Sequence, residues 1–170
     1  MLYEVGLYAL LGYFAGSLPT GVLLGRLKGQ DPRTTGSGNI GASNVARVLG
    51  KKMGAITLFL DILKGTLPVL AALKMASETT ALCTGVAAVI GHCYPIWLKF
   101  RGGKGVATAF GVMVAILPAV AIVSALVWFT LLFFTRIPAI GSLAAALMFV
   151  GLPQLERTPF EIHCFTLAIA

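Results

Sequence analysis

Residues 4–25 carry no charged side chain after Glu4, and long apolar stretches recur at 53–75, 79–98 and 106–135. A helix needs roughly 20 apolar residues to cross the ~30 Å of hydrocarbon in a bilayer. Chains with several such runs have few folds open to them, because every backbone group must be satisfied inside the lipid. Composition agrees: 58% of the residues are hydrophobic and 11% charged, against about 25% charged in an average soluble domain. So apolar a chain cannot cover a water-facing surface, and it is too hydrophobic for disorder. The expected class is an all-α membrane protein, a polytopic helical bundle forming a single domain over residues 1–170.

The span expected first is 4–25, followed by 53–75 with Asp61 and Lys64 inside it, and 79–98 ending at Pro95-Ile96-Trp97. Thirty residues from Val106 to Thr135 are too many for one crossing. Pro118 divides them into a short helix, 106–117, and a longer one. A sixth segment is expected at 139–153 and a seventh from about residue 160. The seventh stops after about 11 residues, short of a crossing. It reads either as a re-entrant end or as the start of a span that a longer version of the chain would complete. With Glu4 and no basic n-region, the N-terminus reads as an uncleaved first span.

Charge sets the expected orientation. The chain has 13 Lys and Arg against 6 Asp and Glu, a net charge of +7. In so apolar a chain this excess points to cytoplasmic loops rather than to nucleic acid. With the N-terminus outside, Arg26, Lys28, Arg33, Arg47, Lys51, Lys52, Lys99, Arg101, Lys104 and Arg136 fall inside. Lys74 and Arg157 fall outside. The bias brings the loops 26–52 and 99–105 to one face. Cys83, Cys93 and Cys164 lack metal-ligand spacing and read as small hydrophobes.

The first loop holds Gly36-Ser37-Gly38-Asn39-Ile40-Gly41-Ala42-Ser43-Asn44-Val45-Ala46-Arg47. Its opening matches G-x-G-x-x-G, with Asp61 20 residues beyond the last glycine. A dinucleotide fold needs a preceding strand, however, and membrane helices flank this loop. The physical content survives. Gly36, Gly38 and Gly41 admit close backbone approach, Ser37, Asn39, Ser43 and Asn44 offer hydrogen bonds, and Arg47 offers a fork suited to phosphate.

The second loop, Lys99-Phe100-Arg101-Gly102-Gly103-Lys104-Gly105, leads straight into a helix. Glycine-rich backbone before a helix start favours an anion. It lacks the early glycine and the Ser/Thr of a Walker loop, so a nucleotide triphosphate with magnesium is not expected. No HEXXH, paired carboxylates or Cys/His cluster points to a metal. Asp61 and Lys64, three apart on one helix, read first as an ion pair. His92 reads as a bonding or general-base candidate or as a structural histidine, His163 as interfacial, and Ser142 as a possible member of the same pocket. Two glycine-bearing cationic loops on one face suit two phosphate-bearing molecules, or one large one. A transporter for a phosphorylated solute is the alternative, but it would want its cations near the midplane.

These strings, GSGNIGASNVAR (36–47), FLDILKG (59–65) and GHCYPIWLKFRGGKGVAT (91–108), resemble the bacterial acyl-phosphate:glycerol-3-phosphate acyltransferase family from Leu11 onward. The resemblance implies acyl transfer from a fatty acyl phosphate to the 1-hydroxyl of glycerol 3-phosphate at the cytoplasmic face of the bacterial inner membrane. Lysophosphatidic acid and phosphate would be the products, with no cofactor and no metal. It also implies catalytic roles for Ser37, Arg47 and Lys104. Gly102, Gly103, Lys104 and Gly105 would form a phosphate cradle, and Gly36, Gly38, Asn39, Asn44, His92 and Ser142 would support binding. Ser43 replaces the family's usual Thr, and Ala139 a common Ser. The family's third motif, Arg-His-Arg-x-Asn-Ile-x-Arg followed by Gly-x-Glu, has no counterpart here, so this resemblance implies a truncated and catalytically impaired form as an alternative.

Overall fold

The computed structural model describes residues 2–155 and 158–170, and every regular element among them is helical. In order these are α1 (Leu2–Gly16), α2 (Thr20–Leu27), α3 (Ala42–Leu49), α4 (Lys51–Met75) and α5 (Glu78–Cys93). A 3₁₀ turn (Ile96–Leu98) precedes α6 (Val106–Ile116), α7 (Pro118–Thr135), α8 (Pro138–Leu155) and α9 (Phe160–Ile169). Four stretches are long and apolar enough to cross a bilayer: Leu2–Leu27, Lys51–Met75, Glu78–Leu98 and Pro118–Thr135. The outer faces are what lipid requires, with Phe133 and Phe134 each 77% exposed on α7.

Two expectations need correction. The expected span 4–25 lies within the single stretch Leu2–Leu27, but it is built of two helices, because Pro19 has no N–H to continue the ladder and restricts Leu18 before it. The long first loop is not all loop, since α3 occupies its second half. Val45, Val48 and Leu49 recur at helical spacing there, and Gly50 ends it with φ 92°. The division at Pro118 is as the sequence predicts. Leu117 is non-helical, and Pro118 opens α7 at the position where its missing N–H costs nothing.

The helices approach through small residues. A Cβ on Gly12 would stand 2.4 Å from the carbonyl oxygen of Thr84, and one on Gly16 would stand 2.0 Å from that of Ala88. Each step of four along α1 matches a step of four along α5, so the two run parallel in close contact. α4 meets α6 in the same way. A Cβ on Gly65 would stand 2.3 Å from the Thr108 carbonyl, and Thr66 Oγ1 donates to the Gly111 carbonyl at 2.7 Å. Beyond this crossing Val69, Ala81, Val112, Met113, Phe149 and Phe165 close an apolar core drawn from α4, α5, α6, α8 and α9. The buried ionisable residues Asp61, Lys64 and His92 lie outside this core.

Candidate active site

The first loop is wound around one buried amide. Asn44, 2% exposed, accepts the Ser37 N–H on Oδ1 at 2.8 Å. Its Nδ2 donates to the carbonyls of Pro32 (2.8 Å), Asn39 (2.9 Å) and Thr35 (3.1 Å). Gly36, at φ 64°, passes so close that a Cβ would stand 2.2 Å from Asn44 Oδ1. Upstream, Asp31 accepts the Arg33 side chain and backbone N–H. Hydrogen bonding from Arg33 lowers the Asp31 carboxyl from the ordinary 3.8 to about 2. Asn39 Oδ1 accepts the Gly41 N–H at 2.8 Å, closing the turn into α3.

This bonding redistributes the expected roles. Asn44, expected to support binding, has both ends of its amide hydrogen-bonded within the loop. Its bonds leave Ser37 and Arg47 exposed, with no side-chain hydrogen bond or ion pair among the described residues. The loop docks through Ile40 and Val45 onto Gly21 of α2, and through Ala46 onto Gly54 of α4.

The second loop folds back onto the end of α5. Gly102 N–H donates to the Cys93 carbonyl at 3.0 Å, and Gly103 N–H to that of His92 at 3.1 Å. Both glycines therefore cap α5, their amides donating to its last carbonyls in this structure. They matter for the side chain they lack. A Cβ on Gly102 would stand 2.1 Å from the His92 carbonyl oxygen, and one on Gly103 would stand 2.1 Å from His92 Nε2. Lys99 and Phe100 take left-handed backbone, φ 54° and 61°, to make the reversal, and Gly105 takes φ 80° at the start of α6. The backbone amides of Lys104, Gly105 and the first turn of α6 have no partner among the described residues, nor has the exposed Lys104 ammonium. That is where an anion has donors and a favourable dipole.

A buried polar layer joins the two loops. Asp61, 2% exposed, accepts Thr20 Oγ1 at 2.6 Å and Lys64 Nζ at 2.8 Å, so the expected ion pair is formed. Lys64 Nζ also donates to the Leu18 carbonyl at 2.8 Å, at the break between α1 and α2. On the far side His92 Nδ1 lies 3.8 Å from Asp61 Oδ1 and 3.1 Å from Thr108 Oγ1 in the first turn of α6. The layer thus runs from α2, which carries the first loop, to α6, which carries the second. Thr20 and Thr108 had no signal of their own in the sequence. Their positions, one residue past Pro19 and three past Gly105, become meaningful only once the helices are packed. Ser142 stays apart: it donates to the Pro138 carbonyl at 3.0 Å and accepts Trp128 Nε1 at 3.3 Å, both within the α7–α8 hairpin. His163 lies on α9, away from this layer.

Comparison with known proteins places the arrangement in a family. The profile described as Glycerol-3-phosphate acyltransferase matches residues 6–170. The glycerol-3-phosphate acyltransferase of Myxococcus xanthus (strain DK1622) is 53% identical over 155 residues, covering 89% of this chain and 81% of that protein. That of Geobacter sulfurreducens (strain ATCC 51573 / DSM 12127 / PCA) is 45% identical, covering 100% and 88%. The crystal structure of PlsY (YgiH), an integral membrane glycerol 3-phosphate acyltransferase, superposes in its glycerol 3-phosphate form with a TM-score of 0.93 at 39% identity. That match covers 97% of this chain and 84% of PlsY. The lysophosphatidic acid form gives 0.90 at the same identity, with 97% and 83% covered. A profile that spans both polar loops and the bundle carrying them, with relatives 45–53% identical over more than four fifths of their length, makes this chain a member of the glycerol-3-phosphate acyltransferase family.

Proposed function

We propose that this chain, acting as one domain over residues 1–170, transfers a fatty acyl group from an acyl phosphate to the 1-hydroxyl of glycerol 3-phosphate. The products are lysophosphatidic acid and inorganic phosphate, and the site lies at the cytoplasmic face of a bacterial inner membrane. One observation supports this most. Asn44, Asp31 and the amides of Gly102 and Gly103 are spent on the fold, whereas among the described residues the side chains of Ser37, Arg47 and Lys104 and the amides that follow Lys104 have no partner and stand with the exposed Lys99 and Arg101. Those are donors and cations for phosphoryl oxygens. The similar PlsY is known in glycerol 3-phosphate and lysophosphatidic acid forms, which supports an acceptor and product of this class.

The chemistry asks little of the protein beyond alignment and charge. The hydroxyl oxygen bonds to the acyl carbon, the bond from that carbon to the phosphate oxygen breaks, and phosphate departs. Lys104 and the start of α6 hold the phosphate of glycerol 3-phosphate. Arg47 and Ser37 hold the acyl phosphate and offset the repulsion between two anions. With few bases nearby, a phosphate oxygen of the donor takes the hydroxyl proton, which leaves with inorganic phosphate.

The test is phosphate release from palmitoyl phosphate by purified protein in detergent, with and without glycerol 3-phosphate. Release that depends on glycerol 3-phosphate is the expected result. Lys104→Ala should lower it by about 10–100-fold, the worth of one hydrogen bond to a charged group. Release indifferent to both would overturn the assignment.

A further inference from the structure

His92 offers two different edges to its surroundings. Nδ1 faces two oxygens, Thr108 Oγ1 at 3.1 Å and Asp61 Oδ1 at 3.8 Å. Nε2 faces Gly103, so closely that a Cβ there would stand 2.1 Å away. A neutral imidazole carries one N–H and one lone pair, and its neighbours decide which nitrogen has which. Lys64 already balances Asp61 at 2.8 Å, so a second cation on the ring would stand unpaired in a buried layer. The ring is therefore neutral. A carboxylate on the Nδ1 edge favours the proton there, with Thr108 as its acceptor. The lone pair is then on Nε2. The nearest amide does not fill it, because Gly103 N–H donates to the His92 carbonyl. An unfilled acceptor is left beside the residue that precedes Lys104.

We propose that Thr108 and Asp61 are positioning residues that hold His92 in the Nδ1–H tautomer, presenting the Nε2 lone pair at Gly103 to a hydroxyl of glycerol 3-phosphate. The proposal rests on the reading above that Lys104 and the start of α6 hold the phosphate of that substrate. A glycerol phosphate so anchored has donors only in its hydroxyl groups, and an acceptor next to its anchor aligns one of them for attack. Asp61 acts through the ring and does not touch the substrate. Lys64 Nζ at 2.8 Å and Thr20 Oγ1 at 2.6 Å both hold the Asp61 Oδ1 that faces the ring.

The experiment is nitrogen-15 NMR of histidine-labelled protein in detergent, with the two histidines assigned against a His163→Gln protein. Expected is a single Nδ1–H tautomer for His92, with an Nε2 resonance that moves on adding glycerol 3-phosphate while Nδ1 stays. Thr108→Val keeps the shape and removes the hydroxyl. It should mix the tautomers and lower kcat about tenfold, one hydrogen bond's worth, at unchanged KM for palmitoyl phosphate. Thr108→Ser should restore both. An Nε2–H tautomer in the unaltered protein overturns the proposal, as does a Thr108→Val protein with tautomer and kcat both unchanged. The unaltered spectrum decides even if the variant does not fold. Acyl transfer is measured on the same sample. Transfer with the wrong tautomer overturns the positioning role alone, whereas the right tautomer without transfer overturns the substrate reading beneath it.

Discussion

Gly103 and His92 constrain one another at the residue scale. A methyl group on Gly103 meets the ring at Nε2, and that ring is 3% exposed and bonded through Nδ1, so it has little room to turn. Gly103→Ala should therefore cost at least tenfold in kcat/KM for glycerol 3-phosphate, with the palmitoyl phosphate KM little changed; steady-state kinetics on both substrates checks this. His92→Ala distinguishes two roles by magnitude. Loss of a hydroxyl-aligning hydrogen bond costs about tenfold, whereas loss of a general base costs about 10²–10⁴-fold. Proton transfer to the donor's own phosphate predicts the smaller loss, with residual turnover across pH. A loss beyond a thousandfold would make the imidazole the base. Ser37, Arg47 and Lys104 stand out in the sequence because small polar and cationic residues among glycines have few structural uses, and the structure leaves their side chains exposed. Asn44 was legible as a hydrogen-bonding residue, but not for what it bonds. Burial decides that, and only the packed α3 shows its amide turned inward.

At the scale of elements, close approach of helices sets where the two loops stand. α1 and α5 touch backbone to backbone at Gly16 and Ala88, at the last residue of α1 before the Ser17–Pro19 break and one turn before His92 on α5. Any side chain at Gly16 pushes the helices apart just where the polar layer begins. Gly16→Val should destabilise the fold by about 1–3 kcal/mol, the usual cost of overpacking. It should also lower activity more than a substitution of equal destabilisation near Phe149, because Lys64 would lose its hold on the Leu18 carbonyl. Thermal midpoint and activity measured on both variants compare the two. Most helices could be read from apolar runs and prolines. The α1–α2 break had its signal in Pro19, yet hydropathy ran unbroken across it. α3 spans only eight residues, too few for periodicity to separate from a polar connector.

For the molecule as a whole, charge and apolarity are segregated along one axis. The apolar core lies between α4, α5, α6, α8 and α9, while the exposed Arg47, Lys51, Lys52, Lys99, Arg101 and Lys104 cluster by sequence around the two loops. The ion pair inside the membrane is closed on itself through Asp61, Lys64 and Thr20, which leaves it nothing to offer a solute crossing the bilayer. On the proposed function, the open cations at one end suit the drawing of two anionic substrates to a surface, one from water and one from lipid. By the positive-inside bias the same asymmetry predicts that these loops face the cytoplasm, because short loops rich in Lys and Arg are retained on that side. In a chain with Cys83, Cys93 and Cys164 replaced by Ala, single cysteines at Lys28→Cys and Lys74→Cys should report opposite faces. A membrane-impermeant maleimide applied to intact cells should label Lys74→Cys and spare Lys28→Cys until the membrane is opened. Labelling in the reverse order would place the open cations outside, away from substrates made in the cytoplasm, and would overturn the assignment of the site to the inner face.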